Sequence, residues 1–311
     1  MVGHMWTLGT HLRDRILVPP APPSLPWRGS VEDAKLGRVS LSGYLSLVPG
    51  AKTLVVIVHG LGGSAESGYC RRAARVCTAL GASALRLNLR GADLSGADLY
   101  HAGLTADVHA ALTSAVAASV DRVVVLGFSL GGHIALKLAI EAPPRLAAVA
   151  AVCAPLCLAR SCAHIDAPPS AFYRAHLLRG LRAMYMAFAR RHHQPAEILA
   201  RAKQAKTMRA WDALVTAPRH GFSGPDDYYE KASAGPHLAS IRVPALYVAA
   251  AGDPMVALAD IEPALAAASP AVEVRVLPTG GHVAFPRTLD LGIAATLGLE
   301  AQVISWLLKG S

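Results

Sequence analysis

The sequence contains no long apolar run. Its 311 residues are 53% hydrophobic, yet no stretch reaches the roughly 18 residues that a membrane-spanning helix needs. The longest candidate, residues 146–158, is interrupted by Pro155. Charged and polar side chains such as His4, Arg13 and Asp14 precede any apolar segment, which is not the pattern of a secretory signal. These absences predict a cytoplasmic protein with a large core.

Metal, disulfide and nucleotide signatures are also missing. The five cysteines are an odd number with no C-x-x-C pair, and Cys153 and Cys157 have no nearby partners that would complete a metal site. We therefore expect reduced thiols and no metal. The glycine-rich residues 59–63 lack the G-x-x-x-x-G-K-[ST] and G-x-G-x-x-G patterns, so a phosphate cradle is disfavoured and no cofactor is expected.

The excess positive charge lies in one segment. Residues 145–219 contain twelve Lys/Arg and three acidic residues, a balance equal to the +9 of the whole chain. The spacing of residues 201–209 predicts that several of these cations share one side of a helix. No nucleic-acid-binding motif accompanies them, so nucleic acid is not an expected partner. The charges are expected on solvated helix faces, with a weak contact to anionic membrane surfaces as the alternative.

Strand-length apolar segments alternate with helical segments along most of the chain, which favours an α/β fold with a parallel, doubly wound sheet. The predicted strands are 54–58, 83–89, 122–126, 146–152, 245–251 and 272–277. The predicted helices are 69–80, 105–118 (with Thr105 as N-cap), 130–141, 257–268 and 297–308.

Two segments interrupt this alternation. Residues 1–35, with five prolines between positions 19 and 26, are expected to be an extended N-terminal arm. Short strands at 39–41 and 44–47 are then predicted around a turn at Ser42 and Gly43. Residues 156–238 are helical and arginine-rich, which predicts an inserted cap. The α/β core would then comprise residues 36–155 and 239–311.

The pentapeptide Gly127-Phe128-Ser129-Leu130-Gly131 stands between a predicted strand and a predicted helix. A G-x-S-x-G in that context predicts a nucleophile elbow, a turn so tight that its flanking residues must be glycine. Ser129 is therefore the candidate nucleophile.

A serine nucleophile needs a histidine base and an orienting carboxylate, which follow it in the order acid, then histidine, in this kind of fold. Asp253 comes directly after the predicted strand 245–251, whereas Asp260 and Glu262 fall in the next helix. His282 follows the last strand behind two glycines. His133 is expected to be structural, and His192 and His193 are expected to face solvent.

The same chemistry needs two backbone N–H groups to hold the oxyanion. One comes from the residue after the nucleophile, Leu130. The other comes from the loop at residues 59–63, where Leu61 is the first choice and Gly60 the second.

These motifs resemble those of α/β-hydrolases, and more narrowly of the YheT-like hydrolases, a family of predicted esterases. The similar residues span most of the region from 53 to 307: 59–64, 66–69, 71–72, 87–91, 100–107, 127–132, 212–221, 227–229, Ser233, 241–244, 253–254 and 280–282. One departure is Gly252, where family members often carry a second Asp. The resemblance implies a Ser129/Asp253/His282 triad and an ester or related acyl substrate, and the arginine-rich cap is the part that it supports least.

Three functions remain open at this point. The first is hydrolysis of a small-molecule carboxylic ester through an acyl-enzyme. The second is acyl transfer to an alcohol or thiol by the same triad. The third is a non-catalytic binding protein of this fold. The substrate-binding residues and the oligomeric state do not follow from the spacing.

Overall fold

An eight-stranded sheet forms the centre of the molecule in the computed structural model, which describes residues 2–309. The strand order is β1-β2-β4-β3-β5-β6-β7-β8; β3 to β8 are parallel, and β1 and β2 add antiparallel to one edge. The strands are β1 (Leu25–Asp33), β2 (Gly37–Ser46), β3 (Thr53–Val58), β4 (Ser83–Asn88), β5 (Arg122–Phe128), β6 (Leu146–Val152), β7 (Ala245–Ala250) and β8 (Val272–Leu277).

Helices cover both faces of this sheet. They are α1 (Val2–Ile16), α2 (Gly68–Ala79), α3 (Ala106–Leu112), α4 (Ala115–Ala118), α5 (Leu130–Glu141), α6 (Leu158–Asp166), α7 (Ala171–Arg191), α8 (Ala196–Gln204), α9 (Met208–Trp211), α10 (Ala217–His220), α11 (Pro225–Ala232), α12 (Leu258–Ala266) and α13 (Leu299–Leu308). Among the helices of residues 2–309, none is both long and apolar enough to cross a membrane.

Successive side chains along each strand point to opposite faces of the sheet, which divides the core into two layers. In β3, Val56 and its alternate neighbours pack with α3, α5 and the helices between β6 and β7, whereas Val55 and Ile57 pack with α2 and α13. All six residues of β3 are buried, as expected for a central parallel strand with helices on both faces. The predicted parallel α/β fold is therefore confirmed.

The N-terminal region differs from the expected extended arm. Residues 2–16 form α1, and residues 25–33 pair with β2 as the edge strand of the sheet. The prolines fall between these elements or at the start of β1, where an edge strand tolerates a missing N–H donor. Within residues 2–33, only the short proline-rich connection between α1 and β1 is free of regular structure.

Two further predictions of local structure are wrong. β2 is one continuous strand, because Gly43 is paired with Leu87 and lets the strands approach; a Cβ there would lie 2.7 Å from the Arg86 carbonyl oxygen. The predicted helix 105–118 is broken into α3 and α4. Thr105 does not cap α3 with its side chain; its hydroxyl donates to Glu141 at 2.9 Å.

Six α-helices, α6 to α11, lie between β6 and β7, and the described part of this stretch contains no strand. We refer to them as the cap helices. A buried ion network ties them to the core: Arg90 pairs with Asp107 (2.7 Å) and Asp98 (3.1 Å), and Arg219 of α10 pairs with Asp98 (2.7 Å) and Asp33 (3.1 Å). Arg90, Asp98 and Asp107 are buried, and Arg90 also lies 3.4 Å from Asp33.

Many cations of the basic segment are used within the fold. Arg174 donates to the last carbonyls of α6, and Arg182 donates to the Ala205 carbonyl. The predicted one-sided cluster at residues 201–209 does not form, because α8 ends at Gln204 and Arg209 belongs to α9, where it pairs with Asp226.

Candidate active site

Ser129 stands at a sharp turn between β5 and α5. Its backbone angles are φ 52° and ψ −120°, a conformation that is strained for any residue other than glycine and that concentrates at functional sites. The neighbouring glycines are required by close contacts: a Cβ on Gly127 would collide with the Gly131 carbonyl, and one on Gly131 would collide with the Val58 carbonyl. The turn therefore has the geometry of a nucleophile elbow.

A continuous hydrogen-bond chain joins Ser129 to the other two predicted residues. The Ser129 Oγ lies 2.8 Å from His282 Nε2, and His282 Nδ1 lies 2.9 Å from Asp253 Oδ2. Asp253 and His282 are buried, whereas Ser129 is half-buried. The chain can carry a proton from the hydroxyl to the imidazole while the carboxylate fixes the ring.

The loops after β7 and β8 bring the acid and the histidine together. Asp253 Oδ1 accepts the backbone N–H groups of Met255 and Val256 at 2.8 and 3.1 Å, which anchors its carboxylate. Asp260 and Glu262 instead lie in α12, and no hydrogen bond to His282 is found for either within residues 2–309.

The loop after β3 distinguishes the two candidate oxyanion donors. The Gly60 N–H donates to the Tyr69 hydroxyl (3.0 Å), and the Gly62 N–H donates to the Tyr100 hydroxyl (2.8 Å). The Leu61 N–H between them donates to no acceptor among the described residues. Leu61 and Leu130 both border the cavity that contains Ser129, and Leu130 is the first residue of α5, at its positive end.

His59 holds this loop in place as a neutral side chain. Its Nε2 accepts the Leu89 N–H (3.2 Å), which leaves Nδ1 to donate to the Gly60 carbonyl (2.8 Å). Complete burial lowers the pKa of His59 to about 4. The other candidate histidines lie apart: His133 bonds the carbonyls of Pro155 and Ala232, as its structural prediction required, and His192 is half-buried against the Gly96 carbonyl.

Cys153 lies directly behind the hydrogen-bonded chain. Its sulfur and the ligand atoms of Asp253 and His282 lie within 4.8 Å of one another. However, burial raises the pKa of the Cys153 thiol well above its ordinary value, which disfavours the thiolate that a metal ion would bind. The His282 Nδ1 and Asp253 carboxylate atoms that could bind a metal ion are already hydrogen-bonded to each other. The geometry suits proton transfer better than metal ligation.

Sequence reasoning missed the part of the site that α1 supplies. Thr7 Oγ1 accepts the His282 backbone N–H at 2.8 Å. Gly3 packs closely against the turns at Gly252 and Gly281. A Cβ on Gly3 would collide with the Gly252 carbonyl, and a Cβ on Gly281 would collide with the Gly3 carbonyl. The signal that could have predicted this contact was the helical spacing of the polar residues of α1, which places them on one side of the helix. That polar side, and not an apolar one, faces the protein.

Two cavities meet at Ser129 and His282. The inner cavity, about 120 Å³, extends between the cap helices and is bordered mainly by apolar side chains such as Leu181, Met184 and Trp211. The outer cavity, about 460 Å³, lies between α1, α7 and the loop after β3. A bound ester carbonyl at Ser129 would therefore have space on both sides.

This fold and site place the chain in a known class. A family profile described as the alpha/beta hydrolase fold matches residues 53–287, so the chain belongs to that family. It is 30% identical over 276 residues to a protein of Escherichia coli K12 named "Putative esterase YheT", covering 82% of this chain and 76% of that one. The predicted resemblance is thus confirmed.

Other relatives agree with a hydrolase. A monoacylglycerol lipase of Saccharomyces cerevisiae is 28% identical over 250 residues, which are 75% of this chain and 55% of the yeast protein. Among solved structures, the Pyrococcus furiosus esterase Pf2001 superposes with a TM-score of 0.56 at 18% identity, covering 85% of this chain and 89% of that one. At that identity the likeness shows the fold alone.

Proposed function

We propose that this protein is a serine hydrolase that cleaves carboxylic esters, with Ser129 as nucleophile, His282 as general base and Asp253 as the group that orients His282. The observation that carries the proposal is the hydrogen-bond chain from Ser129 to Asp253, with distances of 2.8 and 2.9 Å, at a turn with positive φ. The names of the relatives, esterase and monoacylglycerol lipase, support the same reaction class.

The proposed reaction has two halves. Ser129 Oγ attacks the ester carbonyl while its proton moves to His282 Nε2, and the Leu61 and Leu130 N–H groups stabilise the resulting oxyanion. The intermediate collapses, the alcohol leaves with the proton from His282, and an acyl-Ser129 remains. Water, deprotonated by His282, then attacks the acyl carbon and releases the acid.

The lining of the two cavities supports a proposed placement for the two parts of the substrate. We place the acyl chain in the inner cavity, since its lining is mainly apolar, and the alcohol in the outer one, where the side chains of Thr10, Asp14 and Arg72 supply polar groups. At about 30 Å³ per water-sized group, a volume of about 120 Å³ accommodates roughly four such groups. Acyl chains of about four carbons should fit.

Labelling and product analysis test the proposal. A fluorophosphonate probe should label the folded wild-type protein and leave Ser129→Ala unlabelled. A series of p-nitrophenyl esters from acetate to palmitate, with Ser129→Ala as the blank, should show the highest kcat/KM near butyrate. Failure to label folded protein would favour a binding protein instead. Glycerol ester formed in the presence of glycerol would favour acyl transfer.

A further inference from the structure

The N-terminal helix α1 is oriented with its polar side toward the protein. His4 Nδ1 lies 2.9 Å from the Tyr173 hydroxyl, Thr7 accepts the His282 N–H at 2.8 Å, and Asp14 pairs with Arg72 at 2.5 Å. These three residues recur at helical spacing, so they occupy one side of the helix. That side is fixed to the candidate active site by polar contacts.

The opposite side of α1 is apolar and faces outward. Most surface helices bury their apolar side, so this orientation is inverted. We call the set of exposed side chains the outer face of α1: Val2 (60% exposed), Met5 (74%), Leu12 (59%) and Ile16 (70%). A contiguous apolar face of this kind marks an interaction surface.

The outer face of α1 adjoins the entrance to the site. Leu8 and Val18, at and just beyond the same helix, border the outer cavity together with Phe172 of α7, which is 64% exposed. The cavity reaches from these side chains to Ser129 and His282. Whatever covers the outer face would therefore also lie at the mouth through which a substrate enters.

Positive charge accompanies this apolar surface. Arg13 on α1 is exposed, although it lies 3.4 Å from Asp14, and Arg179 is exposed two turns after Phe172, on the same side of α7. The chain as a whole carries +9. An apolar helix face flanked by cations complements an anionic lipid surface, which accepts apolar side chains and attracts Arg and Lys.

We propose that the outer face of α1, together with Phe172, docks on a lipid surface that contains anionic lipids. Docking there would place the mouth of the outer cavity at the lipid boundary. The binding itself does not depend on the proposed esterase activity; only its use for substrate entry does.

Vesicle co-sedimentation tests the docking. Wild-type protein should sediment with phosphatidylcholine vesicles that contain phosphatidylglycerol, more weakly with phosphatidylcholine alone, and less at high salt, because salt screens the charges. The double variant Leu12→Gln/Ile16→Gln should lower the partition coefficient at least about tenfold, since two side chains that would enter the lipid are replaced by polar ones.

The control is Leu47→Gln/Leu80→Gln, which removes two leucines that are 56% and 47% exposed. These leucines lie at the ends of β2 and α2, next to the start of β4 and on the side of the sheet opposite the site. The partition coefficient of this control variant should therefore stay within about twofold of wild type. Both double variants should hydrolyse a short soluble ester at the wild-type rate, since none of the four residues borders the cavities.

Three results would overturn the proposal. One is wild-type protein that stays in the supernatant with both vesicle types. Another is equal loss of binding in the two double variants. The third is a wild-type dimer in sedimentation equilibrium that Leu12→Gln/Ile16→Gln converts to monomer without affecting lipid binding, since a second copy would then cover the face. Vesicle binding by a protein without esterase activity would refute only the proposed function.

Discussion

The hydroxyl of Thr7 accepts the backbone N–H of His282 at 2.8 Å and donates its own hydrogen to the Gly3 carbonyl at 2.8 Å. The two bonds link α1 to the loop that carries the proposed base, across 275 positions of the chain. The N-terminal helix is thus part of the support of the site, and Thr7 is a candidate positioning residue.

Removing the Thr7 hydroxyl should reduce kcat. Thr7→Val keeps the shape but leaves the His282 N–H without its acceptor, and a small displacement of a catalytic group costs up to about 10²-fold. We expect kcat to fall about ten- to a hundredfold with little change in KM, measured on a short p-nitrophenyl ester. Thr7→Ser, which restores the acceptor, should recover most of the rate; a fully active Thr7→Val would contradict the positioning role.

Each proposed triad residue should be required for activity. Ser129→Ala, His282→Ala and Asp253→Asn should each lower kcat by on the order of 10⁴-fold, and the combined variants should lose little more because the three groups act as a unit. Asp260→Asn is the matched control, with wild-type kinetics expected. Our choice of acid is wrong if Asp260→Asn abolishes activity and Asp253→Asn does not.

The length of the inner cavity should set acyl preference. Met184 borders this cavity from α7, so Met184→Trp should fill part of it and shift the highest kcat/KM toward shorter acyl chains. Acetate hydrolysis should change little, which separates a filled cavity from a damaged site. If Met184→Trp left the dependence of kcat/KM on acyl-chain length unchanged, the acyl chain would have to bind outside the inner cavity.

Breaking the buried ion network should destabilise the fold. Arg90→Met leaves the buried Asp107 without its cationic partner, whereas Asp98 keeps Arg219, and an uncompensated buried charge costs about 3–5 kcal/mol. Urea unfolding should show a loss of that size. Arg209→Met breaks a solvent-exposed pair with Asp226 and should leave the midpoint unchanged. Similar midpoints for both variants would mean that the network contributes little.

Acid should destabilise the protein through its buried neutral histidines. The pKa of His59 is lowered by burial to about 4 from an ordinary value near 6.5. Between those two pH values the unfolded chain binds the extra proton, so stability is present above pH 6.5 and is lost as the pH falls, by up to about 3 kcal/mol.

Urea unfolding at several pH values between 4 and 7 measures this effect. His59→Gln should flatten the decline in the free energy of unfolding, whereas His193→Gln, at an exposed position, should leave it as in wild type. A decline that is equally steep in His59→Gln would assign it to other groups.

The sequence by itself determined those structural elements that depend on residues close together in the chain. Apolar runs and helical periodicity gave the bounds of β6 and α5, and the glycines around Ser129 indicated a tight turn that only small residues allow. The positions of Asp253 and His282 after their strands were also readable, because parallel strands end at the same edge of the sheet.

Only the tertiary structure decided features that depend on distant partners. The sequence could rank Leu61 before Gly60 as a proposed oxyanion donor, but the contact that favours this order, the Tyr69 hydroxyl on the Gly60 N–H, depends on tertiary structure. The continuity of β2 rests on the contact of Gly43 with a neighbouring strand. The helix α1 could not be predicted from apolar periodicity, because the side it turns toward the protein is polar, and the partners that stabilise that side, including His282, are remote in sequence.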